Sequence, residues 1–467
     1  MAKAVNLNMT QGPLLGKIIR FSVPLMLSGM LQLLYNAADV VVVGRFAGAA
    51  ALAAVGSTGA LVNLLVNLFM GVSVGCNVLV ARYYGAGDHK SVSETVHCAI
   101  GSSLIIGIMA GAVGLVFSTP LLRLMGSPED VLPLASLYLK IYFCGMPFNI
   151  AYNFGAAVLR AVGDTKRPLY ILSVSGIVNV VLNLITVIFF HMGVAGVAIA
   201  TVASQVVSAV LVVRCLILRE DCCHLNTKAI RIYKDKLIEM IKVGLPAGIQ
   251  GSLFSLSNVI IQSSVNSFGS VVVAGNAAAA NIEGFVYIAM NAIYQATITF
   301  VSQNLGAQKP RRILRVTWIC LGLVSLIGIV LGNLVYLCGH ALLGIYASNE
   351  EGMREAIIEV GLNRMAYVGR PYFICGLMEV GCGCMRGLGR SWVPTTVSLL
   401  GACGIRILWI FTIFQQFGTL DSLYVSYPIS WGVTFVAHMV CFFLVFRGVK
   451  RQLPEEAEDE MPVYRLE

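Results

Sequence analysis

Four long stretches of this chain contain no Asp, Glu, Lys or Arg: 46–81, 168–213, 243–282 and 316–349. A helix crosses the ~30 Å hydrocarbon core of a bilayer in ~20 residues, so each stretch holds one or two membrane spans. Over the whole chain of 467 residues, 57% are hydrophobic and 12% charged. That is too little charge to cover a soluble protein of this size. Transmembrane strands would alternate apolar and polar over ~10 residues, and no such alternation is present. The pattern predicts an all-α integral membrane protein. Twelve spans are expected, at 15–43, 52–81, 93–117, 132–158, 168–190, 194–218, 237–267, 271–301, 314–342, 356–385, 392–416 and 422–447. The first is too long, and follows too long a leader, to read as a cleaved signal peptide.

The cations fix the expected orientation. With the N-terminus placed inside, 25 Lys and Arg fall in inner segments, against Arg45, Arg123 and Arg354 outside. Lys140, Arg364, Arg370 and Arg406 lie within spans. This satisfies the positive-inside rule with both ends in the cytoplasm of a plasma (inner) membrane. The net charge of +9 is then loop topology. No basic soluble domain is left for a nucleic acid. The 13 cysteines are scattered, mostly within spans, and neither Cys222-Cys223-His224 nor Cys382-x-Cys384 has the paired spacing of a zinc site. No metal centre, disulfide framework or organic cofactor is expected.

The chain repeats itself. "IIRFSVPLMLSGMLQLLYN" (18–36) pairs with "MIKVGLPAGIQGSLFSLSN" (240–258), and "YYGAGDHK" (83–90) with "NLGAQKPR" (304–311). "KIYFCGMPF" (140–148) pairs with "RMAYVGRPY" (364–372), and Arg160, Gly163, Pro168 with Arg386, Gly389, Pro394. Four matched anchors in one order indicate duplication. Six spans per half bring both halves into the membrane from the same side, so the repeat is parallel. The organisation expected is an N-terminal six-helix lobe (1–218), a cytoplasmic linker (219–236), a C-terminal lobe (237–450) and a disordered acidic tail (451–467). Two such bundles flanking a cleft suit rocking about a central site.

Polar groups inside spans mark where that site lies. A charged carboxylate at mid-membrane costs on the order of 3 kcal/mol, so each one needs a reason. Asp39 sits on a stripe with Gln32, Tyr35 and Asn36, at i, i+3, i+4 and i+7. Asn179 and Asn183 give the fifth span a polar face, and Thr201 adds a hydroxyl in the sixth. These oxygens suit Na⁺, or hydrogen bonding to a protonated Asp39. The structural alternative is an outer-leaflet acid reaching for water. Glu283 heads a second stripe with Tyr287 and Tyr294, fitted either to a flat cation or to an interhelical bond. Glu379 reads as a local ion pair with Arg386, and Asn63, Asn67 and Asn77 as packing on the second span. Lys140 and Arg364, matched between halves, read as headgroup anchors. Pro147 and Pro371 should kink their helices, and Pro24 makes a hinge on the Asp39 helix.

The motifs together resemble the multidrug and toxic compound extrusion (MATE) family over roughly 12–450. The carriers are Pro24…Asn36-Ala-Ala-Asp39…Gly44, "YYGAGD", "LRAVGDTKRP", "NVVLN", "MGVAGVAIATVASQ" and "MRGLGRSWVP". The resemblance implies twelve transmembrane helices in two parallel-repeat bundles forming a V-shaped cleft. It implies export of small organic cations in exchange for H⁺ or Na⁺, by a monomer in the lipid bilayer. The family's cation site matches Asp39, Asn179, Asn183 and Thr201, with Asn36 beside it. Where the family commonly has a second Asp this chain has Asn183, which favours H⁺ over Na⁺. Cleft candidates are Gln32, Tyr35, Asn153, Glu283, Tyr287 and Tyr294. A lipid-linked oligosaccharide or cell-wall precursor flippase is the nearest rival, although Arg370 and Arg406 offer few cations for a pyrophosphate. A transferase enzyme would need metal-binding acids or a nucleophile with a base, and neither is found. A channel would need a ring of like groups.

Overall fold

The computed structural model describes residues 7–125, 129, 131–346 and 353–453. The expected acidic tail therefore lies mostly outside the described residues. Within them helices are the regular secondary structure, as a bilayer demands of any backbone that cannot reach water. The spans are α1 (Leu14–Val42), α2 (Ala49–Gly85), α3 (His89–Leu124) and α4 (Leu132–Cys144, resuming as Met146–Ala161). They continue as α5 (Lys166–Leu184), α6 (Gly193–Ile217), α7 (Lys234–Asn266), α8 (Ser270–Gly306) and α9 (Pro310–Leu337). Last come α10 (Met353–Arg364, resuming as Phe373–Gly387), α11 (Trp392–Phe417, itself broken) and α12 (Leu420–Gln452).

Helices occupy all twelve expected positions, nine of them long and apolar enough to cross a membrane among the described residues, and several are interrupted. In α4 the break falls at Gly145, with Pro147 opening the second segment. In α10 a π-turn at Met365–Gly369 and a 3-10 turn at Arg370–Tyr372 carry the chain past Pro371. Pro has no N–H to continue the ladder, so the helix ends and restarts. The halves repeat their turns as well as their helices. Gly163 and Gly389 have φ of 88° and 78° in matching loops, and Gly87 (72°) is matched by Gln308 (56°). A non-glycine residue held left-handed at the matching position indicates that the fold sets that turn.

Two features tie the lobes together. First, α1 and α7 change sides along their length. The start of α1 (Leu14, Ile18, Phe21) is buried in a core built from α8, α9, α10 and α12 of the second half. Phe21 meets Phe300 edge-on at 5.7 Å. Reciprocally, Met240 and Val243 near the start of α7 are buried in the first half's core. Second, α2 crosses α7 backbone to backbone. A Cβ on Gly75 would lie 2.1 Å from the Met240 carbonyl oxygen, and one on Gly248 2.2 Å from that of Leu68. At the basic ends of α2 and α8, Gly85 and Gly306 meet in the same way. Further up α2, Gly56 and Gly59 face open space. The halves are therefore closed against each other on the face that carries Arg82, Lys242 and Lys309, and they part toward the opposite face.

Candidate functional site

Asp39 lies near the far end of α1 from the basic face, half-buried, and its Oδ1 accepts a hydrogen bond from Asn183 Nδ2 of α5. Asn179 stands one turn before Asn183. Both are buried, and the Oδ1 of each has no hydrogen-bond partner among the described residues. A buried amide oxygen left without a donor is uncommon and costly, so something that donates to it or coordinates it is the natural complement. The helices approach closely because Gly176 of α5 has no side chain: a Cβ there would sit 1.8 Å from the Tyr35 ring. Tyr35 consequently packs onto α5, its hydroxyl 3.4 Å from the Ser173 carbonyl oxygen, rather than lining the cleft as expected. Gln32 and Asn36 are exposed on α1. Thr201 bonds back to the Val197 carbonyl oxygen of its own helix at 2.9 Å. Of the four residues matched to the cation site, the structure thus joins two directly and sets Asn179 beside them.

Where α2 and α7 begin to part, their facing sides are polar. Ser252 donates to the Leu64 carbonyl oxygen at 2.8 Å, and Asn67 donates to Ser255 at 3.4 Å. One turn further from the basic face, Asn63 and Asn258 are exposed on the same sides. Asn77 lies deeper, donating to Ala157 and accepting from Thr299 across the halves, each at 3.1 Å. Asn153 is held by Asn149 of its own helix.

The second half differs from what its sequence led us to expect. Glu283 is buried and ion-paired with Arg364 at 2.8 Å. Arg364 also donates to Asn276 Oδ1 at 2.8 Å, which in turn accepts from Tyr424 at 3.3 Å. Arg364 is therefore not a headgroup anchor, whereas its repeat partner Lys140 is exposed. Arg364 and Arg406 both lie against the Tyr427 ring, 5.5 and 4.3 Å from its centre. Glu379 forms no ion pair with Arg386 among the described residues. Arg386 donates instead to the buried Tyr294 hydroxyl and, at 2.9 Å, to Gln250. Tyr287 remains exposed on α8. Arg370 reaches Asn333 at 3.3 Å and stacks 5.1 Å over Tyr336, beside a concavity at the break in α10. No group of three or more His, Cys, Asp or Glu able to hold a metal occurs among the described residues.

The MatE family model matches the chain twice, over residues 24–185 and 246–412. The chain belongs to the MatE family. "Probable multidrug resistance protein YoeA" of Bacillus subtilis is 29% identical over 444 residues, covering 93% of this chain and 94% of that protein. "Multidrug export protein MepA" of Staphylococcus aureus is 22% identical over 89% of this chain and 91% of its own length. Among solved structures, a MATE protein in the bent conformation superimposes with a TM-score of 0.87 at 20% identity, over 97% of this chain and 99% of that one. A MOP superfamily transporter from Pyrococcus furiosus, described as having a binding pocket of reverse polarity, gives 0.88 at 21% identity, over 96% and 99%. The protein is a MATE efflux transporter and not an enzyme.

Proposed function

We propose that this MATE protein exports small organic compounds, mainly cationic amphiphiles, in exchange for H⁺ by alternating access, with Asp39 as the coupling group. The observation that carries the reading is the Asp39–Asn183 contact beside two buried amide oxygens without a hydrogen-bond partner among the described residues. Protonated Asp39 has a donor to offer such an oxygen. Na⁺ would instead be held by the Asp39 carboxylate with Asn179 and Asn183, a set with a single formal charge, which favours the proton. In the second half Glu283 is neutralised by Arg364. Asp39 and Glu379 are then the span carboxylates without an ion pair among the described residues, and it is at Asp39 that drug and proton compete. That competition is sufficient for exchange, because each ligand shifts the two-state balance by its differential affinity. One unit of ΔpH supplies ~1.4 kcal/mol per proton, and ~100 mV of membrane potential adds ~2.3 kcal/mol.

The basic face is taken as cytoplasmic, in a plasma membrane, with a monomer as the working unit. On this reading the open side of the cleft faces outward. Pro24 lies between the part of α1 packed in the second half and the part bonded to Asn183, the position a hinge requires. The test uses inside-out vesicles energised by a pH gradient or by Na⁺, following a fluorescent organic cation. The wild type should move it with the pH gradient, and Asp39→Asn should lose at least ~10-fold of the gradient-driven rate, worth ~1.4 kcal/mol. Normal exchange by the variant would remove Asp39 from the coupling step. Transport driven by Na⁺ alone would replace the proton.

A further inference from the structure

We propose that residues 7–12 form a strap that locks the closed basic face, seated on a receptor surface of the second half made by Asn304, Lys309 and Arg312, and that the strap must leave this seat for the lobes to open on that side. It rests on the alternating-access reading. The segment runs just before α1 without helical structure of its own. Its main chain is held by side chains from the far half of the sequence. Asn304 Nδ2 reaches the Met9 carbonyl oxygen at 3.3 Å, and Arg312 Nε reaches the same oxygen at 3.2 Å. Arg312 Nη2 donates at 2.8 Å to both the Gln11 and Gly12 carbonyls, and Lys309 donates to that of Thr10 at 3.1 Å. Lys17 of α1 turns back to the Asn8 and Gln11 carbonyls, each at 2.6 Å. Met9 is 0% exposed, sunk in the second half's core.

The other end of the strap touches the first half. A Cβ on Gly163 would lie 2.8 Å from that of Leu7, and Gly163 belongs to the turn between α4 and α5. Gln303, next to Asn304, reaches the Ala161 carbonyl oxygen of that turn at 2.6 Å. The strap therefore spans the line along which the halves would separate. Two features suit a contact that is made and broken. Nearly all its bonds are charge-assisted donors on backbone carbonyls, which water replaces readily near the surface. Met9 provides the buried apolar anchor, with Leu7 partly buried against the same core. The strap continues directly into Leu14, Ile18 and Phe21, which sit in the same core. Unseating the strap would free the start of α1 from the second half.

Two variants test this, Met9→Asp at the anchor and Arg312→Gln at the carbonyl clamp. In both, amide hydrogen exchange across residues 14–21 should rise at least ~10-fold, with α5 unchanged. A second arm joins Thr10→Cys to Lys309→Cys with a short, reductively cleavable thiol-to-thiol reagent in vesicles. Joining them should stop movement of a fluorescent organic cation, and cleavage should restore it, while each variant carrying only one of the two added cysteines, treated alike, keeps transporting. Transport at the free rate while the two are joined would overturn the proposal, as would unchanged exchange over 14–21 in both variants. A wild type that moves no cation counts against the exporter reading, and the exchange arm then decides the strap alone.

Discussion

At the scale of single residues, the second half's acid illustrates how a pairing is decided. Glu283 and Arg364 are 81 residues apart and meet in a buried bond supported by Asn276 and two tyrosines. Removing one member of such a pair leaves the other charge buried without compensation, at a cost of roughly 3–5 kcal/mol. Glu283→Gln should therefore lower the midpoint of thermal unfolding in detergent, and adding Arg364→Gln should recover part of the loss. A shifted drug profile with unchanged stability would place Glu283 in the substrate site instead. Asp39 differs in kind. Its partner is a neutral amide, and the neighbouring oxygens are left open to a proton or an ion.

At the scale of elements, close packing of α2 on α7 depends on the absence of side chains at Gly71, Gly75, Gly244 and Gly248. Small residues let membrane helices approach until their backbones touch. Gly75→Val would push a methyl group into the Met240 carbonyl, an overpacking cost of about 1–3 kcal/mol. We expect faster amide exchange around Met240–Val243 and weaker closure of the basic face, since Arg82 and Glu239 across the same crossing are 2.9 Å apart and depend on it. Exchange equal to wild type would mean that the crossing can relax at little cost. The breaks in α4 and α10 give those spans two segments that can tilt separately.

At the scale of the molecule, each half lends the start of its first helix to the other's core. The lobes are therefore not two independent bundles on a linker, and their relative motion has to pass through α1 and α7. Orientation is a whole-molecule property set by the loops. Reporter fusions after residue 453 and at the N-terminus should both report the cytoplasm, with a phosphatase inactive and a fluorescent protein bright. An active phosphatase at either end would reverse the assignment of the open side. The interlobe linker adheres to the first half. Arg219 is ion-paired with Asp164 at 3.4 Å and with Asp221, and the Asn226 N–H donates to His97 at 3.0 Å.

Local chemistry and periodicity were legible in the order of residues alone. Charge-free runs mark the spans, because hydrocarbon excludes charge whatever the neighbours are. Repeated Arg-x-x-Gly-x-x-x-x-Pro turns mark the duplication, because the left-handed turn at Gly163 and Gly389 is a local requirement. The i, i+4 spacing of Asn179 and Asn183 put them on one face, and that face does meet Asp39. The tertiary structure decided which groups meet across helices. Sequence spacing left Glu283 and Arg364 unrelated and suggested Glu379 for Arg386, whereas the fold gave Arg386 to Tyr294 and Gln250. It also turned Tyr35 into α5 and seated Met9 among residues some 300 positions away, where hydrophobic burial and main-chain hydrogen bonding act without any pattern in the local sequence.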